Sequence, residues 1–197
     1  GGAANALNNH ADEAWQSLGP LGGPGGTVER VFRALTERVA EGTEVRRPLD
    51  FAQLCAVCGG GTPEGNAAVT QVVERFRRAD TAFLVPGAGV ALADDPVIDI
   101  SHESLIRQWA RLRGWVQAEV DASTELHDLV REAQAQAQGE GELRHGLDLV
   151  RARTWQQRNQ PNPAWLRLCL GGTADEAATR LQGIQAFLDA GTAAEQQ

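Results

Sequence analysis

The chain has 197 residues, enough for one large domain or two small ones, and 42% of them are hydrophobic, so a buried core is possible. Its formal net charge of −8 repels phosphate backbones overall, which argues against nucleic acid as a partner unless one face is locally basic. Every basic residue other than His is Arg; the absence of Lys excludes lysine Schiff bases and any P-loop lysine. Met is absent too, and the Ala, Gly and Arg usage fits a GC-rich bacterial genome. The chain begins Gly1-Gly2-Ala3 with no Met, so we expect it to be a piece cut from a longer polypeptide. No run of 18 apolar residues is present, so no membrane span is expected. No signal peptide is visible, and three cysteines, an odd number, fit a reducing cytoplasm.

In chain order, Leu7, Ala11, Ala14/Trp15 and Leu18 share one face of a helix over 4–18. The run Gly19-Pro20-Leu21-Gly22-Gly23-Pro24-Gly25-Gly26 breaks it and reads as a linker. Thr27 is the expected N-cap of a second helix, with Val28, Val31/Phe32, Leu35 and Val39 inward and Gly42 as its end. Pro48 is expected to open a short helix through Phe51, Leu54 and Val57, stopped by Gly59-Gly60-Gly61. Cys55-Ala-Val-Cys58 lies in it. A zinc site needs two further ligands, and no second CxxC follows; a redox pair needs a strand-to-helix setting. Both thiols are therefore expected to be small core residues. A third helix is predicted over about 66–79, with Val69, Val72/Val73 and Phe76 inward.

The period then changes. Ala82-Phe83-Leu84-Val85 and Val97-Ile98-Asp99-Ile100 are short apolar runs joined by a Gly-rich loop, which predicts a hairpin. Three short helices and a hairpin follow the order of a winged helix. Beyond it, Leu105, Trp109, Leu112, Val116 and Val120 predict one helix of about five turns. Further helices are predicted over about 123–137, about 142–158 (Leu143, Leu147, Val150 and Trp155 inward), 164–168, and about 173–190 (Ala177, Leu181, Ile184 and Phe187/Leu188 inward). Residues 191–197 are expected to fray. The fold class is mainly α: a winged helix followed by an antiparallel helical bundle.

The most informative stretch joins the second strand to the long helix: Asp99-Ile100-Ser101-His102-Glu103-Ser104-Leu105-Ile106-Arg107-Gln108-Trp109. A His at that point can donate to a phosphate oxygen near the helix start. The plainer reading is that Ser101 caps the helix and His102 is a solvated first-turn residue. The stretch resembles the phosphate-sensing motif that closes the winged-helix domain of STAND proteins, the signal-transducing ATPases with numerous domains. Plant resistance and apoptotic members carry Met-His-Asp followed by Leu-Leu-Arg; here Ser101, His102 and Glu103 precede Leu105, Ile106 and Arg107. Bacterial members of the novel STAND group, often fused to WD-type repeats, carry His-Glu-x-Leu-Leu-Arg-x-Trp, and His102 to Trp109 is similar. The opening segment through Glu13, the Gln160-to-Trp165 turn and Phe187 to Ala190 are also similar to parts of that region, so the resemblance runs over nearly the whole chain.

The resemblance implies a connector helix from an ATPase region over 1–26, a winged helix over 27–101, a helical bundle over 102–190 and a flexible tail over 191–197. It implies that His102 senses the β-phosphate of ADP, that Glu103 supports it, and that Arg107 is a candidate contact to a neighbouring domain. ADP or ATP with Mg would be carried by the parent protein, and none by this chain alone. The partners implied are an upstream NTPase domain, a downstream sensor domain and a second copy on activation. Serine 101 in place of the apolar residue and Glu103 in place of Asp are departures that leave the His intact. No Walker A or Walker B motif is present, so no catalysis is expected: Gly19 to Thr27 has no Lys, and Asp94-Asp95 beside Pro96 reads as a hairpin turn. The alternative is a winged-helix DNA-binding transcriptional regulator that uses Arg75, Arg77 and Arg78 of the third helix.

Overall fold

The structure, a computed structural model, describes residues 2–39 and 42–196. It is mainly helical and divides into two compact units, residues 1–120 and 121–197. In the first unit, α1 (Gly2–Ser17) leads through a short 3-10 turn at Gly19–Gly22 into α2 (Thr27–Ala34). Strands β1 (Thr36–Arg38) and β2 (Glu44–Arg46) then pair as an antiparallel hairpin. Strand β3 (Leu49–Asp50) runs directly into α3 (Phe51–Cys58), and α4 (Pro63–Arg77) follows. Strands β4 (Leu84–Val85) and β5 (Val97–Ile100) form the expected hairpin, with β3 on the other side of β5 in the order β3-β5-β4. Helix α5 (Glu103–Gln108) and the first part of α6 (Ala110–Ala137) complete this unit.

The core of the unit comes from the apolar faces read in the sequence. Val28, Val31, Phe32, Leu54, Val69, Val72, Val73 and Phe76 are all fully buried. Phe32 sits edge-on to Phe76 at 4.8 Å and to Trp109 at 5.2 Å, the geometry the ring quadrupole favours. Thr62 caps α4 by accepting the Gly65 N–H at 3.0 Å, with Pro63 as the first helical residue. Asp95 reaches across from the β4–β5 loop and accepts the Ala52 N–H at 2.7 Å, capping α3 from outside its own segment.

Several expectations fail in this unit. The glycine-rich run is folded rather than a loose linker: Trp15 Nε1 donates to Gly22 O at 2.8 Å, and Gly22 is buried. The N-cap of α2 is Gly26, not Thr27; a Cβ at Gly26 would stand 2.5 Å from Leu21 O, so a side chain has no room there. Helix α2 stops at Ala34 instead of running through Val39. The Thr36 hydroxyl donates to Phe32 O at 3.1 Å and turns the chain into β1, where Arg38 stands opposite Glu44 and pairs with it at 2.7 Å. Pro48 opens no helix, because Leu49 and Asp50 pair with Ile98 and Val97. The five-turn helix predicted after the hairpin is broken at Trp109, whose ψ is 109°. Helix α1 supplies the polar partners there: Asn8 Oδ1 accepts the Ala110 N–H at 3.0 Å, and Asp12 accepts Trp109 Nε1–H at 2.8 Å. The buried stripe of Leu105, Trp109, Leu112 and Val116 survives the break.

The second unit holds the rest of α6, then α7 (Gly146–Asn159), α8 (Pro163–Leu170) and α9 (Ala174–Glu195). The expected interruption near residues 121–122 is absent, and α6 runs on without a break. Helix α9 packs on both α7 and α8, around Leu149, Ala152, Trp155, Trp165, Leu166, Ile184, Phe187 and Leu188. Asn162 and Thr173 cap α8 and α9 by accepting the Trp165 and Glu176 N–H groups. The face of α7 differs from the expected one: Leu147 is 72% exposed and Val150 58%. Residues 191–195 continue α9 rather than fray, because Gly191 packs beneath Leu149 and a Cβ there would lie 2.8 Å from Arg144 O.

Candidate functional site

The junction between β5 and α5 carries the sequence motif. Ile98 and Ile100 are fully buried and fix β5 against the core, and β5 pairs with β4 in the register Leu84↔Ile100 and Val85↔Asp99. The next residue keeps the strand direction: Ser101 N–H donates to Phe83 O at 2.9 Å. His102 is then extended, at φ −144° and ψ 136°, and is itself the N-cap residue of α5, one position beyond the expected Ser101. Its carbonyl accepts the Leu105 N–H at 3.1 Å, while its side chain makes no capping bond. Leu105, Ile106 and Trp109 anchor α5 inward, so the ring of His102 is left exposed on the opposite side. Among the described residues the ring has no hydrogen bond or ion pair.

Glu103 and Arg107, both exposed, pair with each other one helical turn apart at 3.4 Å. The structure therefore pairs Glu103 with Arg107 on α5, while the His102 ring stands at the helix start without a hydrogen bond to either. A pair this exposed is worth little in stability.

One residue outside the motif also bears on the junction. Arg46 Nη1 donates to Asp99 Oδ2 at 3.0 Å and to Ile100 O at 3.1 Å. Arg46 escaped notice because the segment that carries it was not read as a strand. The alternation of Glu44, Val45 and Arg46 before Pro48 was the available signal. Arg46 Nε and Asp99 Oδ1 are buried without a hydrogen-bond partner, so the ion pair is made through one prong only.

The other candidate chemistries find little support. Burial pushes the Cys58 thiol far above its ordinary value and also raises Cys55, which removes thiolate character from the CxxC. Among the described residues, no group of three or more His, Cys, Asp or Glu could hold a metal ion. The junction offers a single exposed imidazole, and the sequence has no P-loop. No helix is long and apolar enough to cross a membrane.

Arg75 and Arg77 of α4, and Arg78 just after it, each have a partner within the chain. Arg77 is 3% exposed and donates to Val90 O at 2.6 Å, Gly87 O at 3.1 Å and both Glu74 oxygens. Arg75 bonds Ser17 and Thr81, and Arg78 pairs with Asp80.

No curated protein and no solved structure matches the chain. The family model described as novel STAND NTPase 1 does match, over residues 1–143, a span that takes in both hairpins and the His102 junction. That span is well over half of the 197 residues, and the chain belongs to the novel STAND NTPase 1 family.

Proposed function

We propose that this chain is the regulatory arm of a STAND-type signalling NTPase: it reads the nucleotide on an ATPase core earlier in a longer protein and relays that state to a downstream sensor or effector. The order α2, α3, α4 and then the β4–β5 hairpin supports a winged-helix reading of the first unit, and the succession of α6, α7, α8 and α9 supports a bundle. The arm itself hydrolyses nothing; ADP or ATP with Mg sits on the core. The single observation that carries the reading is the exposed, unengaged ring of His102, held on a rigid junction by buried neighbours.

A neutral imidazole can donate one hydrogen bond to a diphosphate oxygen, a bond to a charged acceptor worth about 1.5–3 kcal/mol. Loss of that contact when ADP leaves biases the two-state equilibrium toward release of the arm, because the ligand then has a different affinity for the two states. In the longer protein, His102→Ala is expected to speed ADP dissociation about tenfold or more, followed by stopped flow with a fluorescent ADP analogue. An unchanged off-rate in a folded variant removes the sensor role. The 197-residue chain alone should release no phosphate from ATP.

A further inference from the structure

We infer that Arg46 is the positioning residue for His102, so that the β1–β2 hairpin as well as the β4–β5 pair sets where the imidazole stands. This rests on the sensing reading above only for its link to nucleotide; the positional assignment stands on geometry alone.

Strands β2 and β5 belong to different sheets, so no backbone ladder joins them. The Arg46 side chain crosses that gap and holds the carboxylate of Asp99 and the carbonyl of Ile100, which precede His102 by three and two residues. From the other side, Phe83 O holds the Ser101 N–H at 2.9 Å. The junction is therefore gripped by two elements within three consecutive residues before the ring. The hairpin is itself fixed: Arg47 N–H donates to Leu35 O at 2.7 Å, at the end of α2, and Arg47 Nε reaches Glu37 at 3.4 Å. Helix α5 also packs against β2.

A half-exposed ion pair taken alone would contribute little. The second contact, from the same nitrogen to a main-chain oxygen at the end of a strand, makes it a constraint on backbone position. Both bonds leave one nitrogen at the far end of the guanidinium, so reach decides the residue type: an ammonium on a shorter, more flexible stem does not hold the same point between the carboxylate and the carbonyl.

The test uses the isotope-labelled 197-residue chain and, in parallel, the longer protein. In the chain, Arg46→Gln and Asp99→Asn should each speed hydrogen exchange of the Ser101 amide by about tenfold and shift the His102 ring resonances. Arg46→Lys should fold with near-normal stability yet fail to restore Ser101 protection. In the longer protein, Arg46→Gln should speed ADP dissociation in the same direction as His102→Ala and add nothing in the double variant, as residues that act as one unit do. If Arg46→Gln fails to fold, Asp99→Asn carries both measurements. Unchanged Ser101 exchange and ring resonances in the folded variants overturn the assignment. So does normal ADP release from Arg46→Gln where His102→Ala releases it faster. Should His102→Ala leave ADP release unchanged while Arg46→Gln loosens Ser101, the sensing reading falls and the positional assignment stands.

Discussion

Arg77 shows how far a side chain's role can depart from its place in the sequence. On α4, beside Arg75 and Arg78, it has the spacing of a basic helix face, yet its guanidinium is enclosed and bonded to Glu74 and to the loop carbonyls of Gly87 and Val90. Arg77→Ala would leave those carbonyls without a donor, at a cost of about 2–3 kcal/mol in urea unfolding. Arg77→Lys should recover little, because Glu74 and the loop carbonyls are met by different nitrogens of a fixed planar group, a spread that one ammonium nitrogen does not cover. A loss within about 0.5 kcal/mol, usual for a solvated helix cation, would contradict the buried placement. The cysteines give a second test at this scale. The folded state holds the Cys58 and Cys55 protons more tightly than the ordinary thiol value of 9.0. As pH rises through that value the unfolded chain releases them and the folded chain does not, so stability is intact below it and declines above it. The slope is at most about 1.4 kcal/mol per pH unit for each thiol. Lys and Tyr are absent, so few other groups titrate in this range. Denaturation profiles should therefore fall above about pH 9, and Cys58→Ala should flatten the fall.

At the scale of elements, what the sequence disclosed follows the strength of each local signal. Helix α4, the β4–β5 hairpin, α8 and α9 were legible because caps, prolines and apolar spacing agree there. The β1–β2 hairpin was not: its three-residue strands are mostly charged, so Val45 between Glu44 and Arg46 is too short an alternation to stand out, and the cross-strand Arg38–Glu44 pair adds support that no apolar pattern announces. Arg46 was missed along with its strand, whereas His102, Glu103 and Arg107 were found through a contiguous motif. The face of α7 was misjudged for a different reason. Leu143, Leu147, Val150 and Trp155 make as good a helical stripe as Leu149, Ala152 and Trp155; of the expected set only Trp155 is buried, and the tertiary partners decide the rest. The two stripes separate cleanly by mutation. Leu149→Ala should cost about 2–4 kcal/mol, while Leu147→Ala should stay within about 0.5 kcal/mol in the same thermal or urea melts. The reverse order would restore the sequence-based face. The turn between α3 and α4 depends on contact rather than pattern: a Cβ on Gly65 would fall onto the Gly59 carbonyl, which no rotamer change relieves.

At the scale of the whole molecule, each compact unit has its own apolar core and its own charged fastening. In the first, Arg33 of α2 joins Glu119 of α6 at 2.8 Å and Glu29 at 3.3 Å, with all three side chains largely enclosed. In the second, Arg144, just before α7, holds both oxygens of Glu132 at 2.7 and 3.0 Å and also bonds Glu125, joining the approach to α7 to α6. Those hydrogen bonds, Glu132 first, hold the Arg144 guanidinium protonated beyond its ordinary range against the cost of burial. The same residue presents its carbonyl to Gly191, so the start of α7, the end of α6 and the last turns of α9 meet around one side chain and its backbone. Arg144→Met keeps much of the apolar stem but leaves two carboxylates facing each other without a counter-charge, which like-charge repulsion and lost hydrogen bonds make unfavourable by about 1–3 kcal/mol. Because separate cores open as separate cooperative units, the loss of hydrogen-exchange protection should be confined to residues 121–197. The amides of Ser101 and Leu105, which report the His102 junction, should keep their wild-type exchange. If protection falls equally in residues 1–120, the long helix α6 transmits the disturbance and the two cores behave as one. A loss confined to residues 121–197 would instead leave α6 a passive connection between two independently opening cores.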